Sequence, residues 1–155
     1  MRITSGSVRE TLHLGKSIGR CAAAGDIICL FGSLGSGKTV LAKGIAEGLG
    51  IQKHDVLSPT FVLMRQYDGR LAMYHFDLYR LQDISQVRDL GYEEYFFDNG
   101  VTVIEWPERL GSLMPDSYLK ITLDVAGKSR RLITIAAKGQ RNKGALRAIN
   151  EDILS

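Results

Sequence analysis

The sequence predicts an α/β fold, helices layered on a mixed central sheet, and three observations carry that expectation. Strand-like and helix-like stretches alternate along 155 residues, long enough for one domain with a core of its own. Asp26-Ile27-Ile28-Cys29-Leu30-Phe31 reads as a buried strand entering a glycine-rich loop, and Lys38 to Leu49 reads as the helix leaving it. Two hairpin signals, Asp68-Gly69 and Gly127-Lys128, add antiparallel strands to the parallel neighbours that a strand–loop–helix unit requires.

Ser7-Val8-Arg9-Glu10 has the capping-box pattern, and Leu12, Ile18 and the alanines beyond Cys21 predict an amphipathic helix to about Ala24, stopped by Gly25. Gly50 stops the next helix. Phe61 to Tyr67 and Leu71 to Asp77 read as two strands around the first hairpin turn. Leu81 to Phe97 reads as mostly helical, broken near Gly91. Val101 to Glu105 is a buried strand, and Tyr118 to Val125 and Arg130 to Ala137 flank the second hairpin. A terminal helix is expected over Lys143 to Leu154, within a short helical extension of the single domain at 141–155.

Composition is that of an ordinary soluble protein, with no apolar run near the roughly 20 residues of a membrane span. The N-terminal residues lack an apolar signal core, so cytoplasmic residence is expected. Cys21 and Cys29 lack metal spacing and read as buried thiols. A net charge of +3 does not announce a nucleic-acid binder. Basic residues nevertheless crowd the C-terminal third, from Lys128, Arg130 and Arg131 to Arg147. They read as a solvated face or, more sharply, as a surface for an acidic partner or RNA.

The stretch Gly32-Ser33-Leu34-Gly35-Ser36-Gly37-Lys38-Thr39 fits G-x-x-x-x-G-K-[ST], the phosphate-binding P-loop. Its glycines let successive N–H groups turn inward onto phosphate oxygens, and the following helix N-terminus adds partial positive charge. Lys38 is expected on the β- and γ-phosphates, and the Thr39 hydroxyl on Mg²⁺. The expected architecture is thus a P-loop NTPase-like three-layer sandwich with a mixed central sheet. Its ligand would sit where the loop after Phe31 meets the strand ends at Asp77 and Glu105.

Such a site needs an acid on a neighbouring strand to hold hydrated Mg²⁺. Glu105 ends the cleaner hydrophobic run; Asp77 ends a strand interrupted by His75 but is the commoner residue type. Spacing does not rank them. Read alone, Ser58-Pro59-Thr60 is a proline turn, Trp106 a core indole or a stacking surface, and His75 a packed strand histidine.

Taken together, Gly32 to Thr39, Ser58-Pro59-Thr60-Phe61, His75-Phe76-Asp77-Leu78-Tyr79-Arg80 and Ile104-Glu105-Trp106-Pro107-Glu108-Arg109 resemble the TsaE (YjeE) family in order and spacing. That family comprises bacterial ATPases of the pathway making N6-threonylcarbamoyladenosine at position 37 of tRNAs. Gly91-Tyr92-Glu93-Glu94-Tyr95-Phe96 is similar to a further family segment, and the likeness runs from about Gly25 to Leu110.

The resemblance implies ATP and Mg²⁺ as ligands, with Thr60 a switch-like residue beside the metal and the γ-phosphate. It makes Asp77 the metal-linked acid, Glu105 a second acid at the metal needed for hydrolysis, and Trp106 a nucleotide-side or partner-side aromatic. The phosphate loop would then bind through Gly32, Ser33, Leu34, Gly35, Ser36, Gly37, Lys38, Thr39 and Val40. Two positions depart from the family: Ser33, where aspartate is usual, and Val40, where a second threonine is common.

The activity so implied is slow, Mg²⁺-dependent ATP hydrolysis, raised by a partner. No arginine finger is identifiable, with Arg65, Arg80 and Arg109 as candidates. The partner implied by resemblance is the TsaB–TsaD complex, which performs the transfer to tRNA, so contact with tRNA is indirect. Two alternatives remain. A small-molecule kinase would need a basic lid, for which Leu81–Asp98 offers room but only Arg88 as a base. A nucleotide-gated binding module would bind ATP without turnover.

Overall fold

Seven strands join in one sheet in the computed structural model, which describes residues 1–52, 56 and 62–155. They are β1 (Arg2–Ser5), β2 (Ile27–Phe31), β3 (Met64–Tyr67), β4 (Met73–Asp77), β5 (Val101–Glu105), β6 (Tyr118–Val125) and β7 (Arg131–Lys138). Their order is β1-β7-β6-β2-β5-β4-β3. β2 runs parallel to β5 and β6, and β4 parallel to β5, while β1, β7 and β3 pair antiparallel with their neighbours. The sheet is mixed, as the hairpins require.

Helices cover both faces, giving three layers. One apolar cluster packs α1 (Val8–Cys21), α2 (Lys38–Gly48) and α5 (Lys143–Leu154) against one face through Ile18, Leu41, Ile45 and Ile149. On the other face, a second cluster gathers α3 (Ser85–Asp89), α4 (Tyr92–Phe96) and a 3₁₀ segment at Pro107–Leu113 around Phe76, Val87, Phe96 and Leu110.

Strand alternation assigns the side chains. On β2, Ile28 and Leu30 join the α1/α2 cluster, whereas Ile27 and Cys29 join the other. Met73 on β4 and Val101 and Val103 on β5 also face α1 and α2. The same period carries His75, Asp77 and Glu105 onto that face, toward the end where α2 begins.

α1 and α2 touch backbone to backbone. A Cβ at Gly15 would lie 2.5 Å from the Leu41 carbonyl oxygen, and one at Gly19 2.2 Å from that of Ile45. From the other side, Gly44 and Gly48 face the Leu12 and Lys16 carbonyls at 2.4 and 2.3 Å. Glycines four residues apart on each helix make one shared contact stripe. α2 therefore stands on a close-packed base, which fixes where its N-terminus points.

Some elements differ from expectation. α1 ends at Cys21 rather than Ala24, because the Arg70 guanidinium takes the Gly19 and Ala22 carbonyls, both at 2.9 Å, and closes the helix end. Its N-cap forms as expected, Ser7 Oγ accepting from Glu10 N–H at 3.1 Å, but the Glu10 carboxylate reaches Gly6 N–H rather than that of Ser7. The first hairpin is wider than a tight turn, since Tyr67 pairs with Met73 and Arg70 N–H bonds Leu49 C=O. β3 starts at Met64, Val62 and Leu63 forming a bend; Phe61 lies outside the described residues. The segment from Leu81 to Phe97 holds two single turns, with Gly91 in the left-handed region between them. β1, too short to show an alternation, pairs Ile3 with Ile133 along the free edge of β7.

Candidate functional site

α2 begins without a side-chain cap. Gly37 occupies the cap position at φ 105°, a conformation that L side chains rarely adopt, and no side chain accepts from the helix's first turn. The first-turn N–H groups and the helix dipole are thus presented to the cavity in front of the loop, which suits an anion. That cavity, about 620 Å³, is lined by loop residues from Leu34 to Val40 and by Asp77, Tyr79, Arg80, Glu105 and Trp106. A larger open groove of about 1040 Å³ along α1 and the end of α5 lies away from these groups.

Lys38 folds back over the loop. Its Nζ donates to the Gly32 carbonyl at 2.6 Å and the Ser33 carbonyl at 2.9 Å, and lies 4.1 Å from the Trp106 ring centroid. Desolvation by burial lowers its pKa below the usual lysine value, while the carboxylates of Glu105, Glu108 and Asp77 oppose that shift.

Two acids meet this cation from adjacent strand ends, Asp77 and Glu105 being register partners. Both are buried. One Glu105 oxygen, Oε1, accepts from the Thr39 hydroxyl at 2.9 Å; the other, Oε2, lies 2.6 Å from His75 Nε2. His75 is fully buried, and its Nδ1 has no hydrogen-bond partner. Asp77 Oδ1 accepts from Tyr79 N–H at 3.0 Å, which turns the chain after β4.

Trp106 directly follows Glu105 at φ 59°, the left-handed region, and is the one such non-glycine among the described residues. That backbone costs about 1–2 kcal/mol for a side-chain-bearing residue. It ends β5 sharply and swings the indole over Lys38 and against Tyr79, whose ring centroid is 5.0 Å away. The indole is half-buried, packing against the second apolar cluster while bordering the site.

The structure thus gathers Lys38, Thr39, Asp77, Glu105 and Trp106 around one cavity. Thr60 and its Ser58-Pro59 neighbours lie outside the described residues. Of the arginines, Arg80 lines the cavity, whereas Arg109 reaches the Leu81 carbonyl at 3.4 Å. His75 is packed in its strand as expected, but its bond to Glu105 crosses to the neighbouring strand, and no local signal in the sequence announces that partner. Arg131 bonds the P-loop and Arg141 the Ala24 carbonyl, while Lys128, Arg130, Lys138, Lys143 and Arg147 are exposed. Both cysteines are free thiols, Cys29 buried and Cys21 half-buried.

Residues 5–133 match the family model described as threonylcarbamoyl adenosine biosynthesis protein TsaE. The chain belongs to the TsaE family. A relative from Treponema pallidum, named tRNA threonylcarbamoyladenosine biosynthesis protein TsaE, is 43% identical over 136 residues, covering 88% of this chain and all of the relative. One of the same name from Bacillus subtilis is 44% identical over 133 residues, 85% of this chain and 82% of its own. The crystal structure of Bacillus subtilis YdiB superposes with a TM-score of 0.84 at 34% identity, covering 97% of this chain and 94% of that one. The shared fold therefore extends past residue 133, into the region of α5. The TsaE likeness agrees with the three-layer mixed sheet. Among the described residues, no helix is long and apolar enough to cross a membrane.

Proposed function

We propose that this chain binds ATP with Mg²⁺ and hydrolyses it, as the component required for forming the N6-threonylcarbamoyl group on adenosine 37 of tRNAs. It acts on the TsaB–TsaD complex and does not itself carry the transfer, so tRNA contact is indirect. The observation that carries the ATPase reading is the Thr39–Glu105 hydrogen bond at the mouth of the P-loop, beside Asp77. Family membership supports the place in threonylcarbamoyladenosine formation.

Thr39 Oγ1, Asp77 and Glu105 offer hard oxygen donors in small number, the set that Mg²⁺ takes when phosphates and waters complete its shell. When bound, the metal would neutralise charge on the β- and γ-phosphates. The chain's own residues do the remainder. Lys38, already desolvated and on the inside of the loop, exchanges two backbone carbonyls for phosphate oxygens and stabilises charge developing between them. Glu105 orients the attacking water, with His75 fixing one carboxylate oxygen so that the other faces the site. Thr60 is expected to share that task. Loop amides from Gly35 to Thr39 hold the phosphate chain.

Trp106 lies at the Lys38 end, where the terminal phosphate sits, so it borders the γ-phosphate or a partner and does not stack on adenine. The base leaves by the other flank of the loop, a cavity of about 350 Å³ lined by Ser7, Val8, Val40, Lys128 and Ser129. A kinase lid is disfavoured by the segment from Leu81 to Phe97, whose Val87 and Phe96 are buried against the sheet.

The test is phosphate release by the chain alone, with TsaB–TsaD, and with tRNA added. Release without any acceptor, raised by TsaB–TsaD, is expected. No release under any condition would leave the binding module as the reading.

A further inference from the structure

We propose that Arg131 is the positioning residue of the phosphate loop: it holds the Gly35 and Ser36 carbonyls outward so that Gly37 N–H faces the anion site, and the Ser36 turn is closed, before the anion arrives. The inference rests on the P-loop reading above and adds a residue outside the loop and its strand-end acids. Arg131 opens β7, ninety-five positions after Ser36 in sequence. Its backbone is pinned on both sides, paired with Ser5 of β1 and Val125 of β6. From that fixed base its Nε donates to the Ser36 carbonyl at 2.9 Å and an Nη2 proton to the Gly35 carbonyl at 3.3 Å. Nη1 ties the same guanidinium to the Gly127 and Arg130 carbonyls at 3.3 and 3.0 Å.

The consequence follows from peptide geometry. Every described peptide is trans, so each C=O points opposite to the N–H of the next residue. Holding the Ser36 carbonyl outward turns Gly37 N–H inward, toward the cavity in front of α2. Holding the Gly35 carbonyl outward turns Ser36 N–H inward, where it bonds Ser33 C=O at 3.1 Å. Glycines that let the loop adopt this shape would equally let it leave, and an anion-free cradle of inward N–H dipoles repels itself. A planar fork reaching two successive carbonyls opposes both tendencies. Its charge also adds positive potential behind the loop.

Two measurements decide this. Hydrogen–deuterium exchange of the segment from Gly32 to Lys38, without nucleotide, is compared in the wild type, Arg131→Lys and Arg131→Met. Binding of inorganic tripolyphosphate, which has no base to touch Arg131 directly, is measured on the same proteins. Loop exchange should rise on the order of tenfold in Arg131→Met, tripolyphosphate affinity should fall by about the same factor, and lysine should restore only part of each, because it keeps the charge but not the fork. Unchanged loop exchange in Arg131→Met, or an Arg131→Lys protein equal to the wild type in both measurements, overturns the proposal. If Arg131→Met does not fold, the lysine comparison decides. A wild type that binds neither ATP nor tripolyphosphate contradicts the proposed function instead, while the exchange measurement still decides the clamp.

Discussion

The Thr39 hydroxyl donates to Glu105 Oε1 at 2.9 Å, joining the first turn of the P-loop helix to the end of a parallel strand 66 residues away. The bond brings together two of the groups proposed for the metal. Replacing Thr39 by alanine should weaken nucleotide binding on the order of tenfold with Mg²⁺ present and far less in chelator, and serine should restore it. Equal losses with and without Mg²⁺ would separate Thr39 from the metal.

Lys38 gives a prediction in pH. Its folded pKa is below the usual 10.5, so between the two values the unfolded chain holds more protons, and its contribution to stability rises as pH rises through that window. Phosphates draw the value back up, so nucleotide binding in the alkaline range just below 10.5 should take up protons. Calorimetry in two buffers of different ionisation heat reads this directly. Lys38→Ala should abolish the uptake and lower turnover at least about a hundredfold.

His75 and Glu105 are both buried and pair with each other at 2.6 Å. His75→Phe keeps the ring volume but leaves one Glu105 oxygen without its donor. A loss of about 1–3 kcal/mol in chemical denaturation is expected. A double-mutant cycle with Glu105→Gln should show that the two changes are coupled; additive effects would mean that the pair only happens to be adjacent.

The glycine stripe between α1 and α2 makes a prediction remote from the cavity. Gly19→Ala or Gly44→Ala forces two backbones apart and should cost about 1–3 kcal/mol or more. Gly144, in α5 with open space around it, is the control: alanine there should stabilise by about 0.5–1 kcal/mol. Unchanged melting temperatures for Gly19→Ala would show that the helices separate at little cost.

The legible part of this site was the part encoded locally. A strand, a glycine loop and a lysine–threonine pair are contiguous, so the P-loop could be read directly, and the rule that ligands sit at the carboxyl ends of strands brought Asp77 and Glu105 toward it. The resemblance then ranked the two acids, and the structure found them paired across the sheet. What sequence could not give depended on distant partners: β1 has no pattern of its own until β7 offers an edge, α1 stops early only because Arg70 arrives from the hairpin, and Arg131 looked like one more surface cation until the fold carried it to Ser36. Trp106 read alone as either a core indole or a stacking surface, because nothing local announces a left-handed residue before a proline.

The most direct test of the ATPase reading is Glu105→Gln, assayed with TsaB–TsaD at saturating ATP. Phosphate release should fall by roughly 10²–10³-fold, the size expected for losing a group that positions the reacting water, while ATP affinity, followed by emission of the single tryptophan Trp106, stays within a few-fold. Undiminished release from a variant that still binds ATP would contradict the account, because the acid bonded to Thr39 and His75 would then have no part in the chemistry.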